Sequence, residues 1–157
     1  NKFEDFKKFI STSDTKYITP EKGMYSFLHC VCKYINDAEY NKYFDTLVYD
    51  IKYDINQRGG KDLMYYPLKI LSDSFGSSTI DFYTKLLEQP DINVNNACSN
   101  GCTALMSACL SYKENKYGDG AELIEMLLNH PKIDLTKTDS SDGDILELID
   151  DFISELY

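Results

Sequence analysis

Apolar residues recur along this chain in short blocks at a nearly constant interval. Three segments, MYSFLHCVCKYI, MYYPLKILSDSF and CTALMSACLSYK, each read as a short apolar helix. Their aligned leucines are Leu28, Leu68 and Leu105, 40 and 37 residues apart. Each is followed by a second block: NDAEYNKYFDTLVYDIKYDIN, SSTIDFYTKLLEQPDINVN and GDGAELIEMLLNHPKIDLT. The aligned leucines there are Leu47, Leu86 and Leu127, 39 and 41 residues apart. In the last block Leu123, Ile124, Leu127 and Leu128 fall at helical spacing.

The tails of these blocks agree more sharply. Nine residues after each second leucine comes the end of a polar-aliphatic-polar triplet: Asp54-Ile55-Asn56, Asn93-Val94-Asn95 and Asp134-Leu135-Thr136. A fixed distance from leucine to triplet, kept three times, is the mark of an internal repeat of about 37 to 41 residues. Each second helix also opens on a capping residue with an acid three positions later: Asn36 with Glu39, Ser78 with Asp81, Asp119 with Glu122. A short polar side chain there accepts unpaired N–H groups of the first turn, and the acid suits the positive helix end.

The ends of the chain read as caps. FEDFKKFI sets Phe3, Phe6, Phe9 and Ile10 on one face, and Phe9 lies 38 residues before Leu47, as the second helix of a leading half-unit would. DILELIDDFISELY sets Ile145, Leu148, Ile149, Phe152, Ile153 and Leu156 on one stripe with carboxylates opposite. Terminal helices of a stack need one wet face, whereas internal units bury both sides. The expected organisation is one domain over 1–157. A capping helix and turn occupy 1–22, three units follow at 23–61, 62–98 and 99–139, and a capping helix closes the chain over 140–157. The fold class is all-α.

With these residues aligned, the chain resembles the ankyrin-repeat family. The family's motif Gly-x-Thr-Pro-Leu-His-x-Ala is matched by GCTALMSA, with Thr103, Leu105 and Ala108 in place. The second unit keeps Pro67 and Leu68, the first keeps Leu28 and His29, and LLEQPDINVN resembles the family's leucine pair leading to Asp-Val-Asn. The units are longer than the family's usual length of about 33 residues. The extra length is expected between the helices, chiefly in SYKENKYGDG, and in the turn QRGGKDLM. Pro and His are absent from the third motif, and Thr from the first two.

The resemblance implies an ankyrin-like helical solenoid of three units with short hairpin turns, a helical cap at each end and a concave binding surface. Position by position it implies contact residues for a partner protein. These are Tyr25, Lys33 and Tyr34 in the first unit, and Asp62, Leu63, Tyr65, Asp73 and Ser74 in the second. In the third they are Ser99, Asn100, Cys102, Leu110 and Ser111. Tyrosine suits such a surface because it joins a large apolar body to a polar tip and has few rotors to freeze. A second candidate surface is the polar stretch from Ser111 to Gly120, long enough to be mobile or to reach a partner.

Composition narrows the function. Hydrophobic residues make up 43% and charged residues 27%, the proportions of a globular chain with a core. The net charge of -10 argues against duplex nucleic acid and anionic membrane as partners, since both call for a basic surface. No apolar run approaches the ~20 residues that span a bilayer. The chain opens on Asn1, which points to a trimmed sequence, so the lack of a signal-peptide pattern says nothing of targeting.

Between Asp139 and Tyr157 stand seven acidic residues and no Lys or Arg. They form a solvated helix face, or in the alternative reading an acidic decoy that captures a basic protein. Five cysteines, Cys30, Cys32, Cys98, Cys102 and Cys109, are an odd number without disulfide-framework spacing and read as reduced thiols of an intracellular protein. Cytoplasm is the expected setting, that of a host cell should the source be a virus or an intracellular parasite; a monomer is the expected state.

Metal and catalysis find little footing. His29-Cys30-x-Cys32 lacks the paired spacing of a zinc site. Cys32 and Cys109 fall four residues after the aligned leucines, where the resemblance implies a small buried residue. His29 falls on the motif's histidine, which the resemblance assigns to bracing the turn. No nucleophile elbow, phosphate loop or dinucleotide fingerprint occurs. The reading is a non-catalytic protein-interaction module that needs no cofactor.

Overall fold

A computed structural model describes residues 2–12, 25–34, 38–50, 53–60, 65–73, 79–114, 119–140 and 144–156. Among them are eight α-helices and no strand: α1 (Lys2–Thr12), α2 (Phe27–Lys33), α3 (Ala38–Asp45), α4 (Pro67–Ser72), α5 (Thr79–Leu87), α6 (Ala104–Glu114), α7 (Gly120–Leu128) and α8 (Ile145–Leu156). A π-helical turn, Thr46–Asp50, continues α3. No helix among the described residues is long and apolar enough to cross a membrane.

The helices pair along the chain, α2 with α3, α4 with α5 and α6 with α7. The first members of these pairs also pack in sequence, α2 on α4, α4 on α6 and α6 on α8, while α5 packs on α7. Phe44 and Phe82, with ring centroids 4.7 Å apart, join α3 to α5. All six aligned leucines are fully buried at 0% exposure, so the periodicity of the sequence is the periodicity of the core. Burying one such side chain is worth roughly 1.5–3 kcal/mol.

Three antiparallel bridges close hairpins between the pairs: Gly59 with Tyr65, Ala97 with Thr103 and Thr138 with Asp144. In the second hairpin Cys98 donates its N–H to Cys102 O and accepts that of Gly101, both at 3.0 Å. The Asn-Gly signal is used here, since Gly101 has φ 83°, in the left-handed region open to glycine. Ser140 N–H donates to Asn100 O at 2.7 Å and ties this hairpin to the next.

The matched triplets form a hydrogen-bond ladder. Asn56 Nδ2 donates to Asp91 O at 2.9 Å and its Oδ1 accepts Asn93 N–H at 2.8 Å. Asn95 repeats both bonds one unit on, to Lys132 O at 2.7 Å and from Asp134 N–H at 2.8 Å. Within a triplet the first side chain accepts the third residue's N–H, as Asp54 does from Asn56 at 2.9 Å. The same bond joins Asn93 to Asn95 at 3.1 Å and Asp134 to Thr136 at 2.9 Å.

Several expectations are corrected. Of the polar inter-helix stretch expected from Ser111 to Gly120, Ser111 to Glu114 form the last turn of α6, and 115–118 lie outside the described residues. Tyr112 stacks edge-on against Phe152 at 5.2 Å and Lys113 pairs with Asp151 at 2.7 Å, so α8 holds that extra turn. Asp119 stands at the N-cap of α7 without a side-chain capping bond, although its carbonyl accepts Leu123 N–H at 3.0 Å. Asn36 and Ser78 lie outside the described residues.

At the ends, Phe6 stacks on Phe27 at 5.9 Å and on Tyr43 at 4.8 Å, seating α1 on α2 and α3. Phe9 is 55% exposed, unlike its counterpart Leu47, because no helix flanks it on its outer side among the described residues. On α8, Ile145, Ile149 and Phe152 are buried, but Ile153 is 47% exposed; among the described helices α6 packs most extensively on it.

Candidate functional site

Four of the expected contact residues meet at one cavity. Tyr25, Lys33, Tyr65 and Asp73, with Ile70, line a volume of about 200 Å³ where α2 packs against α4. Tyr25 precedes α2, Lys33 ends it, Tyr65 closes the first hairpin and Asp73 follows α4. The rings of Tyr25 and Tyr65 lie 5.6 Å apart and tilted, and Tyr25 lies 6.0 Å from His29.

Gly60 makes that pairing possible. Its φ of 77° suits glycine, and a Cβ there would fall 2.8 Å from both Tyr25 Cε1 and Tyr65 Cδ2. Beneath them His29 fixes the hairpin. Its Nε2–H donates to Tyr65 O at 3.0 Å, because a carbonyl only accepts. Nδ1 is therefore the acceptor for the Ser26 hydroxyl at 2.5 Å, and burial holds the imidazole pKa below its ordinary value against the pull of the Tyr65 bond.

Lys69 completes the electrostatics. Its Nζ pairs with Asp73 Oδ2 at 2.8 Å and lies 5.6 Å from the Tyr65 centroid. Burial pulls this lysine down, but the hydrogen bond and charge of Asp73 outweigh it and leave the ammonium above its ordinary range. The cavity thus offers a tyrosine pair, an apolar wall at Ile70 and charges of both signs. Such a surface offers both apolar contact and hydrogen-bonding groups.

Sequence reasoning missed Ser26, Gly60, Lys69 and Ile70. Ser26 Oγ accepts His29 N–H at 3.3 Å at the head of α2, as Thr103 Oγ1 accepts Met106 N–H at 3.3 Å at the head of α6. A hydroxyl three residues before His29 was the available signal. Lys69 stands four residues before Asp73 on one helix face, an equally visible pairing.

The remaining expected residues among those described do not line this cavity. Tyr34 is 54% exposed and stacks on Tyr40 at 5.9 Å. Ser99 and Asn100 are exposed at the second hairpin, where Asn100 Oδ1 accepts Cys102 N–H at 3.2 Å. Leu110 is exposed and Ser111 half-buried on α6. Cys102 departs from the expected set: it is only 7% exposed, with Sγ 3.7 Å from Ser107 Oγ, so little of it is open to a partner. Asp62, Leu63 and Ser74 lie outside the described residues.

The thiols are unpaired, and Cys32 and Cys109 are buried at matching places in α2 and α6. Among the described residues no group of three or more His, Cys, Asp or Glu converges on a point where a metal would sit. Compared with models of known protein families, with curated proteins and with solved structures, the chain finds no match.

Proposed function

We propose that the chain is a degenerate ankyrin-like solenoid of three units that binds a partner protein, without chemistry of its own, on its concave side. The meeting of Tyr25, Lys33, Tyr65 and Asp73 at one cavity carries this reading. Those residues come from two units, before and after two different helices, and are drawn together by the stacking of α2 on α4. The repeated hairpin bridges, the buried leucines and the asparagine ladder support the solenoid.

The test compares capture of partners from lysate by the wild type and by a Tyr25→Ala/Asp73→Ala variant with an unchanged circular dichroism spectrum. A protein held by the wild type through about 0.5 M salt and lost by the variant supports the concave surface. A protein kept by the variant and released by that salt favours the alternative instead. That alternative is an acidic decoy working through α8, where Glu147 and Asp150 are exposed.

A further inference from the structure

Each end of the stack is half a unit, and the two halves are complementary. Asp144 stands as Thr103 does one unit earlier: both end a hairpin bridge, and the side chain of each accepts an N–H in the first turn of the helix that follows. α8 is thus the first helix of a fourth unit, with Leu146 in the place of Leu28, Leu68 and Leu105. Those three leucines are fully buried, in units where a second helix packs on the first. Leu146 is 49% exposed, and Ile153, two turns along the same face, is 47% exposed. No helix follows α8 among the described residues.

At the other end the opposite half stands alone. α1 lies in the row of second helices. Its Phe6 stacks on Tyr43 of α3, and stands 38 residues before Phe44 as Phe44 does before Phe82. No helix precedes α1 among the described residues, and Phe9 and Phe27 are 55% and 36% exposed. Charge also differs between the ends. α1 and α2 carry four lysines and two acids, whereas α7 and α8 carry six acids and no Lys or Arg. Of the undescribed residues beside these helices, 13–24 hold two of each sign, 35–37 and 141–143 one acid each, and 115–118 one lysine. The first end therefore stays basic and the second acidic.

We infer that the two ends dock on each other: α8 of one copy packs against α1 of the next as α6 packs against α7, and stacks on its α2 as α6 stacks on α4. One whole unit then forms across the junction, where Leu146 and Ile153 meet Phe9 and Phe27, and acids meet lysines. Pairing of α8 with α8 would instead set carboxylates against carboxylates. The two surfaces differ, so each docked pair leaves one α1 and one α8 free, and association is open-ended in place of the expected monomer. The docking rests on the repeat and does not depend on the role of the Tyr25–Tyr65 cavity.

The test is sedimentation equilibrium of the full chain from about 10 µM to 1 mM, over which the mean mass should rise about twofold or more. Leu146→Gln/Ile153→Lys blocks α8 and Phe9→Glu blocks α1. All three side chains are about half exposed, so both variants should keep the wild-type circular dichroism spectrum. Each variant alone should remain a monomer over the same range. An equimolar mixture of the two should form a one-to-one complex and nothing larger, because one intact α8 and one intact α1 remain. In the wild type, amide NMR shifts that change with concentration should fall at Phe9 and Leu146 together, a readout that needs no variant. A constant monomer mass overturns the inference and leaves the α8 face to a different chain. Association lost in the α8 variant alone, or shifts confined to α8, would mean that α8 pairs with itself, and a mixture that stays monomeric would exclude docking of unlike ends.

Discussion

Asn56 accepts the backbone N–H of Asn93 on its side-chain oxygen at 2.8 Å, across 37 residues of chain. Asn95 does the same for Asp134 at 2.8 Å, so each asparagine clamps the backbone of the following unit. Among the described residues Thr136 closes the series with bonds to its own triplet, its N–H and Oγ1 both to Asp134 Oδ1, at 2.9 and 2.6 Å. Asn95→Ala removes two bonds between units and is expected to cost roughly 1–3 kcal/mol, whereas Thr136→Ala removes local bonds at an exposed site and costs under about 1 kcal/mol. Urea unfolding of the two variants checks the order. Equal losses would mean the ladder does not couple the units.

That ladder shows how far the sequence could be read. The triplets stood out by spacing alone, but their role needed the fold, because the acceptors at Asp91 and Lys132 are main-chain oxygens that no side-chain pattern records. The six leucines were legible because burial sets their spacing directly. Tyr25, Lys33, Tyr65 and Asp73 were placed by position in a unit, and they share a cavity. Cys102 was placed the same way but is buried, its N–H taken by Asn100 Oδ1 and its thiol lying against Ser107. The helical turn at Ser111 to Glu114 was hidden because its support comes from Asp151 and Phe152, far along the chain.

Gly101 and Gly60 both take positive φ, but different things stand in the way of a side chain. A Cβ at Gly101 would lie 2.9 Å from Asp139 Cα and 3.0 Å from Thr138 O, backbone of the next hairpin. Gly101→Ala is therefore expected to cost at least about 2 kcal/mol, from left-handed strain and from pushing the hairpins apart. At Gly60 the obstacles are the Tyr25 and Tyr65 rings, so Gly60→Ala should lose less stability and, on the proposed function, more partner binding. Melting curves beside binding measurements separate the two. A Gly101→Ala protein as stable as wild type would contradict the close approach.

Two buried tyrosines make opposite predictions. Ser72 Oγ gives its hydrogen to Leu68 O at 2.9 Å, so Tyr83 OH donates to Ser72 Oγ at 2.7 Å. Tyr66 OH, 1% exposed as a residue, has no hydrogen-bond partner among the described residues. Burial is the leading cause that holds both phenols well above the ordinary tyrosine range. Tyr83→Phe should cost about 1 kcal/mol, while Tyr66→Phe should be neutral or stabilise by up to about 1 kcal/mol, because it removes a buried hydroxyl that forms no bond. Chemical denaturation of both variants decides it. A Tyr66→Phe loss as large as that of Tyr83→Phe would mean that hydroxyl is bonded.

His29 makes stability depend on pH. Burial lowers its pKa in the folded state, with the Tyr65 carbonyl opposing, from the 6.5 of the free side chain. As pH falls through 6.5, the unfolded chain takes up this proton before the folded one does. The His29 contribution is therefore complete above that pH and shrinks below it, until the folded imidazole is itself protonated. His130, also lowered by burial, acts in the same direction, as does Asp134, held low by its Thr136 bonds. A difference isolates the residue. In His29→Gln the amide still donates to Tyr65 O but has no proton to gain. The stability gap between wild type and this variant should narrow between pH 7.5 and pH 5.5. Urea midpoints at the two pH values measure it. A gap that stays constant or widens would mean that His29 is not held neutral beneath Tyr65.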